Sequence, residues 1–546
     1  MLLIFPPVAK PCEPPAGIAK LAGALKAHHI SCTILDANLE GLLYLAQRQK
    51  SSSDTWTRRA IKNLSANVEA LRKADTYQSL DRYSRAVRDV QRILEVSAEE
   101  RGALIGLADY HHHDLSPVRS KDLLTAADRP DQNPFYPYFK ERFAGILGGP
   151  VSPQDGPSSL PGTSPGRTEK QEDPPPAGNE AKQFIGFSLN YLSQALCTFA
   201  MIGYVKKEYP GLRIVLGGGL VSSWMKRPGW KNPFEGLVDH LVAGPGEGPL
   251  LDLLGKEEIK RNDRAPDYEP LLINNYLSPG FILPYSGSSG CYWNNCSFCP
   301  ETAEDNPYVP VPVPQAMAEL RALVAKTKPV LVHLLDNSVS PALLRALAQE
   351  PLAVPWYGFA RLDRDLLDID LCRALKRSGC VMLKLGLESG DQGVLDRMRK
   401  GIDLAAASQV LKNLKLAGIA TYVYLLFGTP AETIAEARKT LAFVVDHKDA
   451  ITFLNLAIFN LPVCSAEAGE YETKQFYEGD LSLYTGFKHP QGWDRKQVRQ
   501  FLDAEFKRHP AVAAILKNDP AIFTSNHAAF FVKPDRISVI DVSRTN

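Results

Sequence analysis

Short apolar runs of strand length alternate with helical stripes through most of this chain, in two separate series, and no other feature limits its fold as tightly. In the first series residues 2–5 are apolar, Pro14 and Pro15 suit a helix start, and Ile18, Leu21 and Leu25 keep helical spacing through about His28. Cys32-Thr33-Ile34-Leu35 is a second strand ending at Asp36. The pattern resumes with a strand at 184–188, a helix over about 192–208, a strand at 212–216 running into Gly217-Gly218-Gly219, and a short strand at 240–243 ending at Gly244-Pro245-Gly246-Glu247-Gly248. The second series begins after about residue 276, with strands expected at 280–283, 331–335, 356–359, 382–387, 421–427 and 452–458 and helices between them, such as 313–326 and 404–417. Strands that alternate with helices form a parallel sheet covered on both faces. The spacing therefore predicts an α/β protein: a Rossmann-like layer, then a partial (β/α)6 TIM-like barrel whose chemistry sits at the C-terminal strand ends.

Between the second and third strands of the first series, residues of about 40–149 predict a helical insertion. Ile61, Leu64, Val68 and Leu71 keep a three-four spacing, as do Tyr83, Val87, Val90 and Leu94. Residues of about 150–182, including Asp173-Pro174-Pro175-Pro176, are rich in Pro, Gly, Ser and charge and predict a flexible linker. The expected division is 1–275, 276–465 for the barrel, and 466–546 for a small α+β extension. Insertion and extension are expected to cap the barrel mouth and select the substrate.

A formal net charge of +1 on 546 residues gives no electrostatic reason to expect a nucleic acid partner. The start, Met1-Leu2-Leu3-Ile4-Phe5-Pro6-Pro7, lacks the basic region of a signal peptide, and no uncharged run reaches a membrane span of roughly 18–20 residues. Nine cysteines, six of them scattered, do not form a secreted disulfide framework, which predicts a reducing, cytoplasmic setting.

The other three cysteines lie in Gly290-Cys291-Tyr292-Trp293-Asn294-Asn295-Cys296-Ser297-Phe298-Cys299-Pro300, directly after the first strand of the second series. Cys291, Cys296 and Cys299 offer three thiolates on one loop, one fewer than a closed tetrahedral site needs. An iron–sulfur cluster with one open iron is the leading reading. Zinc with a distant fourth ligand, or three unrelated thiols, are the others. His111-His112-His113-Asp114 sits in a predicted helix-to-loop region and reads as a solvated or substrate-lining patch, because adjacent side chains do not converge on one metal.

The loop resembles that of radical S-adenosylmethionine enzymes, with Phe298 in the place of the aromatic before the last cysteine. The family's usual spacing is three residues and then two, whereas four separate Cys291 from Cys296 here. Downstream, Gly386-Leu387-Glu388-Ser389-Gly390 resembles the segment that holds the ribose and amino-acid part of S-adenosylmethionine, and Phe427-Gly428-Thr429-Pro430 the fifth-strand turn. Asp391 to Leu395 and Met398-Arg399-Lys400-Gly401 also read like this family. Asp336-Asn337 occupies the place of its acidic pair, without the Gly-Gly-Glu signature. After the sixth strand the Gly-Thr pair is missing. The first series resembles the cobalamin-binding domains of the same enzymes at Pro14-Pro15-Ala16-Gly17, Asp36-Ala37-Asn38, Gly186-Phe187-Ser188, Gly217-Gly218-Gly219 and Gly244 to Gly248, without the Asp-x-His-x-x-Gly signature that donates a histidine to cobalt.

The resemblance implies a 4Fe–4S cluster on Cys291, Cys296 and Cys299. It implies S-adenosylmethionine held near Phe298, Glu388, Ser389 and Gly428, and cobalamin lying along Ser188, Gly217, Gly218 and Gly246. It implies methylation of an unactivated carbon of a small molecule or peptide through a 5′-deoxyadenosyl radical, with electrons from a flavodoxin- or ferredoxin-type donor. A cobalamin-dependent cyclisation or rearrangement is the alternative within the family. An iron–sulfur electron-transfer or binding protein is the alternative outside it.

Overall fold

The computed structural model describes residues 1–49, 53–148, 184–256, 265–272, 276–474, 479–523 and 527–533. The linker expected over 150–182 lies outside these residues. Two parallel sheets carry the fold.

The strands of the first half are β1 (Leu2–Phe5), β2 (Thr33–Asp36), β3 (Ala103–Ile105), β4 (Tyr110–His112), β5 (Phe184–Ser188), β6 (Arg213–Gly217) and β7 (His240–Leu241). The first sheet has the order β2-β1-β5-β6-β7 and is parallel throughout. Ile4, Ile185, Phe187, Ile214 and Leu216 are buried in it. Helix Leu192–Glu208 packs there and is buried along most of its length, as its nearly unbroken apolar sequence requires.

Among the described residues, the chain between β2 and β5 is largely helical. In helix Leu80–Ala98, Tyr83, Val87, Val90 and Leu94 form the buried stripe expected of them. His111 and His112 of the histidine run fall on β4 of an antiparallel hairpin with β3, not in a helix-to-loop region. Gly102, at φ 64°, ends the preceding helical stretch, and three-residue strands are too short to show a period. His112 Nδ1 accepts the N–H groups of Asp114 and Leu115, both at 3.1 Å, so that ring holds a turn.

The second half contains β8 (Ile282–Tyr285), β9 (Ser288–Ser289), β10 (Val309–Pro310), β11 (Leu331–Leu334), β12 (Trp356–Ala360), β13 (Cys380–Glu388), β14 (Ala420–Phe427) and β15 (Phe453–Ile458). Six of these form a parallel sheet in chain order, β8-β11-β12-β13-β14-β15, as six successive strand–helix units demand. β8 starts later than expected because Gly280, at φ 145°, lies where a Cβ would fall 2.6 Å from Val330.

Side chains near the N-terminal strand ends, Ile282, Leu331, Tyr357, Met382, Tyr422 and Phe453, pack into one apolar layer. Ala528 and Val532 of the chain's last described segment close it. The extension thus plugs the barrel floor rather than capping only the mouth. Another part, around helix Arg495–Phe501, covers the strand ends near Gly428.

Candidate functional site

The turn after β8 is built around Asp336. Its carboxylate accepts the Ser288 hydroxyl at 2.6 Å and the Gly287 N–H at 3.0 Å, so this residue braces the approach to the cysteine loop. Gly290 follows at φ 72°, where a Cβ would meet the Pro307 carbonyl at 2.4 Å.

The loop is then clamped onto its neighbours. The Tyr292 hydroxyl donates to Asp363 at 3.0 Å, and Ser297 N–H donates to the Met398 carbonyl at 3.0 Å. Trp293 Nε1 donates to the Arg399 carbonyl at 3.1 Å, while the Arg361 guanidinium lies over its ring at 4.1 Å. Arg361 in turn donates to the Lys400 carbonyl at 2.6 Å. The segment Met398 to Gly401 is thereby tied to the loop directly at the Met398 and Arg399 carbonyls and, through Arg361, at the Lys400 carbonyl.

Cys296 is buried, Cys291 and Cys299 are partly so, and all three are free thiols. Burial pushes the Cys296 and Cys299 thiols up. Lys400 and Arg361 draw Cys296 back down, while negative charge on Cys291 opposes its ionisation and charge on Cys296 opposes that of Cys299. Cys296 thus feels charge on Cys291, and Cys299 feels charge on Cys296, with two cations near Cys296 to offset it. Among the described residues no three His, Cys, Asp or Glu side chains are gathered closely enough to hold a metal ion. Donor type and nearby cations suit an iron–sulfur cluster. The thiols share the loop without converging, so binding requires the loop to draw in.

Beside this loop, Glu388 ends β13 at φ 68°, and its carboxylate accepts Lys400 Nζ at 2.7 Å with the two side chains only 12% and 10% exposed. Lys400 Nζ also sits 5.4 Å from the Phe298 ring centre. Glu388 and Phe298 therefore flank one lysine, whose charge also reaches Cys296. Ser389 is different. It is fully buried, lies 3.3 Å from Thr440 Oγ1 and accepts Asp391 N–H, so its hydroxyl stitches the turn to helix Ile434–Asp446. Gly428, at φ 78°, donates its N–H to Glu432 and borders a hollow of about 290 Å³ shared with Phe459, Asn460, His489 and Trp493. Burial lifts the Glu432 carboxyl to about 7.

Ser188, Gly217, Gly218 and Gly246 meet in a cavity of about 550 Å³ at the C-terminal edge of the first sheet. Its far wall is Ser289, Gly290, Glu301 and Asn306, next to the cysteines. The glycines leave the floor smooth: at Gly218 a Cβ would lie 2.4 Å from the Leu189 carbonyl, and at Gly246 3.2 Å from Leu21. Asn190 Nδ2 donates to the Ser188 hydroxyl at 3.0 Å. This shape fits an extended ligand lying on bare backbone.

Gly17, Ser188 and Asn190 also line a second cavity, of about 430 Å³, which reaches along β8 and β11 into the barrel. Here the structure gathers polar residues that the motif reading passed over. His333 Nδ1 lies 3.0 Å from both oxygens of Glu13, and Lys384 Nζ lies 3.1 Å from His333 Nε2. Tyr357 stacks on His333 at 4.3 Å, and Lys384 sits 4.9 Å from the rings of Tyr357 and Phe359. Burial lowers both His333 and Lys384, the latter to about 8, while His333 and the neighbouring lysines keep Glu13 low against its own burial. The available signal was a His in Leu331-Val332-His333-Leu334 and a Lys in Met382-Leu383-Lys384-Leu385, charged side chains in otherwise apolar strands.

Fold and site define a two-sheet α/β protein with a three-thiol loop at the mouth of a six-stranded parallel barrel and a cavity joining that loop to the first sheet. Residues 285–444, which contain this loop and most of the barrel, match the Radical SAM superfamily. A curated relative, an uncharacterized methyltransferase of Pyrococcus horikoshii, is 26% identical over 233 residues, covering 38% of this chain and 50% of the relative. The chain thus spans about half the length of that relative. Among solved structures, the radical S-adenosylmethionine methyltransferase TsrM from Kitasatospora setae, with cobalamin and a 4Fe–4S cluster bound, is similar at 14% identity and a TM-score of 0.47, over 84% of this chain and 72% of that one. The cobalamin-dependent S-adenosylmethionine radical enzyme OxsB is similar at 17% identity and a TM-score of 0.41, over 50% of this chain and 44% of that one. No helix among the described residues is long and apolar enough to cross a membrane.

Proposed function

We propose that this chain is a cobalamin-dependent radical S-adenosylmethionine enzyme that methylates an unactivated carbon of a small molecule or peptide. The observation that carries the reading is the cavity of about 550 Å³ bounded on one side by the glycine-rich strand ends and on the other by the start of the cysteine loop. Two cofactors held on those two walls would face each other. The radical SAM match supports the cluster half, and the name of the Pyrococcus relative, a methyltransferase, agrees with methyl transfer. The working division is a cobalamin-binding unit over 1–275, the barrel over 276–465 and the extension over 466–546.

In this reading Cys291, Cys296 and Cys299 hold the cluster, and Glu388 and Phe298 border S-adenosylmethionine, with Gly428 at the neighbouring strand end. Bound there, the cluster with S-adenosylmethionine would supply radical chemistry and cobalamin would supply a methyl group. The protein's own work is placement and charge. Lys400 and Arg361 offset thiolate charge, Trp293 and Tyr292 fasten the loop, and the apolar floor keeps water from entering below. An electron donor of the flavodoxin or ferredoxin type completes the system.

Anaerobic reconstitution with iron, sulfide and cobalamin, followed by dithionite and S-adenosylmethionine, tests the reading. Bound corrinoid together with 5′-deoxyadenosine or S-adenosylhomocysteine is the expected result. A protein that takes up iron but yields neither product is an electron-transfer or binding protein instead.

A further inference from the structure

We propose that the cavity of about 430 Å³ between the first sheet and the barrel binds the primary ammonium group of a small-molecule substrate on the carboxylate of Glu13. This deepens the methylation reading and rests on it for the word substrate.

Three residues far apart in sequence build the site. Lys384 Nζ donates to His333 Nε2 at 3.1 Å, which leaves Nδ1 as the protonated nitrogen that faces Glu13. That single N–H is shared between both Glu13 oxygens, each at 3.0 Å. A carboxylate offers about four lone-pair positions. Among the described residues His333 is the one hydrogen-bond partner of Glu13, so most of those positions are left to the cavity, into which the side chain is 27% exposed. Tyr357 holds the imidazole plane by stacking, and the Tyr357 and Phe359 rings hold Lys384 in place.

A half-buried carboxylate whose one described partner is a single N–H keeps lone pairs facing the cavity, and a cationic N–H donor suits them best. Burial and Lys384 lower His333, which weakens the charge it can set against Glu13, while Lys384 and Lys10 act on the carboxylate through Coulombic attraction. Lys384 stands behind the imidazole and is not part of the cavity wall. Lys10 does line the wall, so an ammonium must approach from the side of Tyr191 and Tyr357, where aromatic faces favour it. A Glu13–His333 pair that only fastened the two halves together would show no preference among ligands.

The test titrates the full chain with n-butylammonium chloride and, at matched ionic strength, with sodium butyrate. Melting temperature and the side-chain nitrogen signals of the histidines are followed, with His333 assigned through His333→Gln. The ammonium should raise the melting temperature and shift the His333 signal, and butyrate should do neither. Glu13→Gln, which keeps an acceptor for His333 but removes the charge, should weaken butylammonium binding about tenfold or more. Equal response to both probes, response to butyrate alone, or undiminished binding by Glu13→Gln overturns the proposal. The wild-type comparison of the two probes decides it even if the variant does not fold. Dithionite-driven cleavage of S-adenosylmethionine, measured on the same protein, separates the two claims. Cleavage without butylammonium binding sinks this inference alone, and binding without cleavage sinks the methylation reading alone.

Discussion

Gly401 marks how closely the cysteine loop is fitted at the scale of a single residue. It sits at φ 65°, and a Cβ there would fall 2.1 Å from the Trp293 ring. Gly401→Ala should push Trp293 off Arg361 and the Arg399 carbonyl, cost roughly 1–3 kcal/mol in stability, and lower iron uptake on reconstitution with the far-ultraviolet circular dichroism unchanged. Replacing Cys291, Cys296 and Cys299 together by alanine should abolish the brown chromophore outright, and retention of full iron content would refute the cluster assignment. Glu432 gives a pH prediction. Its carboxyl is raised from an ordinary 4.5 to about 7 by burial, so the folded chain holds a proton there that the unfolded chain releases. The resulting stability is fully present below about pH 4.5 and is lost as pH rises through about 7, on the order of 3 kcal/mol in all. Glu432→Gln should remove that slope, which melting curves at several pH values would show as a wild-type decline absent from the variant.

At the scale of elements, the strands were legible wherever period and length agreed. β11, β12 and β14 fall within a residue of their expected limits because each is a short apolar run between turn signals. The β3–β4 hairpin was not legible, since its strands are three residues long and lie within a helical stretch. Nor was the role of the last segment. Residues 527–533 carry no period, yet Ala528 and Val532 finish the barrel floor, and Phe530 packs on Tyr77 and Tyr83 at 5.3 and 5.0 Å. Phe530→Ala should therefore destabilise by roughly 2–4 kcal/mol and loosen insertion and barrel together, read as a single broadened unfolding transition. Full stability in that variant would show that the segment does not hold the two regions together.

At the scale of the whole molecule, the two sheets present their C-terminal strand ends to shared space. The cavity of about 550 Å³ takes walls from residues more than a hundred positions apart, Gly17 to Glu301. Gly217→Leu should fill it from the first sheet without touching the thiols, so corrinoid binding should be lost while iron content stays. Loss of both would place the effect on folding instead.

The amino-acid sequence by itself determined the α/β class, the succession of strands along the chain and the three-thiol loop, because strand period, glycine turns and cysteine spacing are local and survive without any tertiary contact. Tertiary structure alone decided what those residues do. It turned Ser389 inward to Thr440 and gave Asp336 to the turn before the loop. It put Lys400 between Glu388 and Phe298, and joined Glu13 to His333 across 320 residues. Such partnerships depend on which strands become neighbours and which side chains the lumen forces together, and in a parallel sheet those neighbours are set by crossovers that no short stretch of sequence encodes.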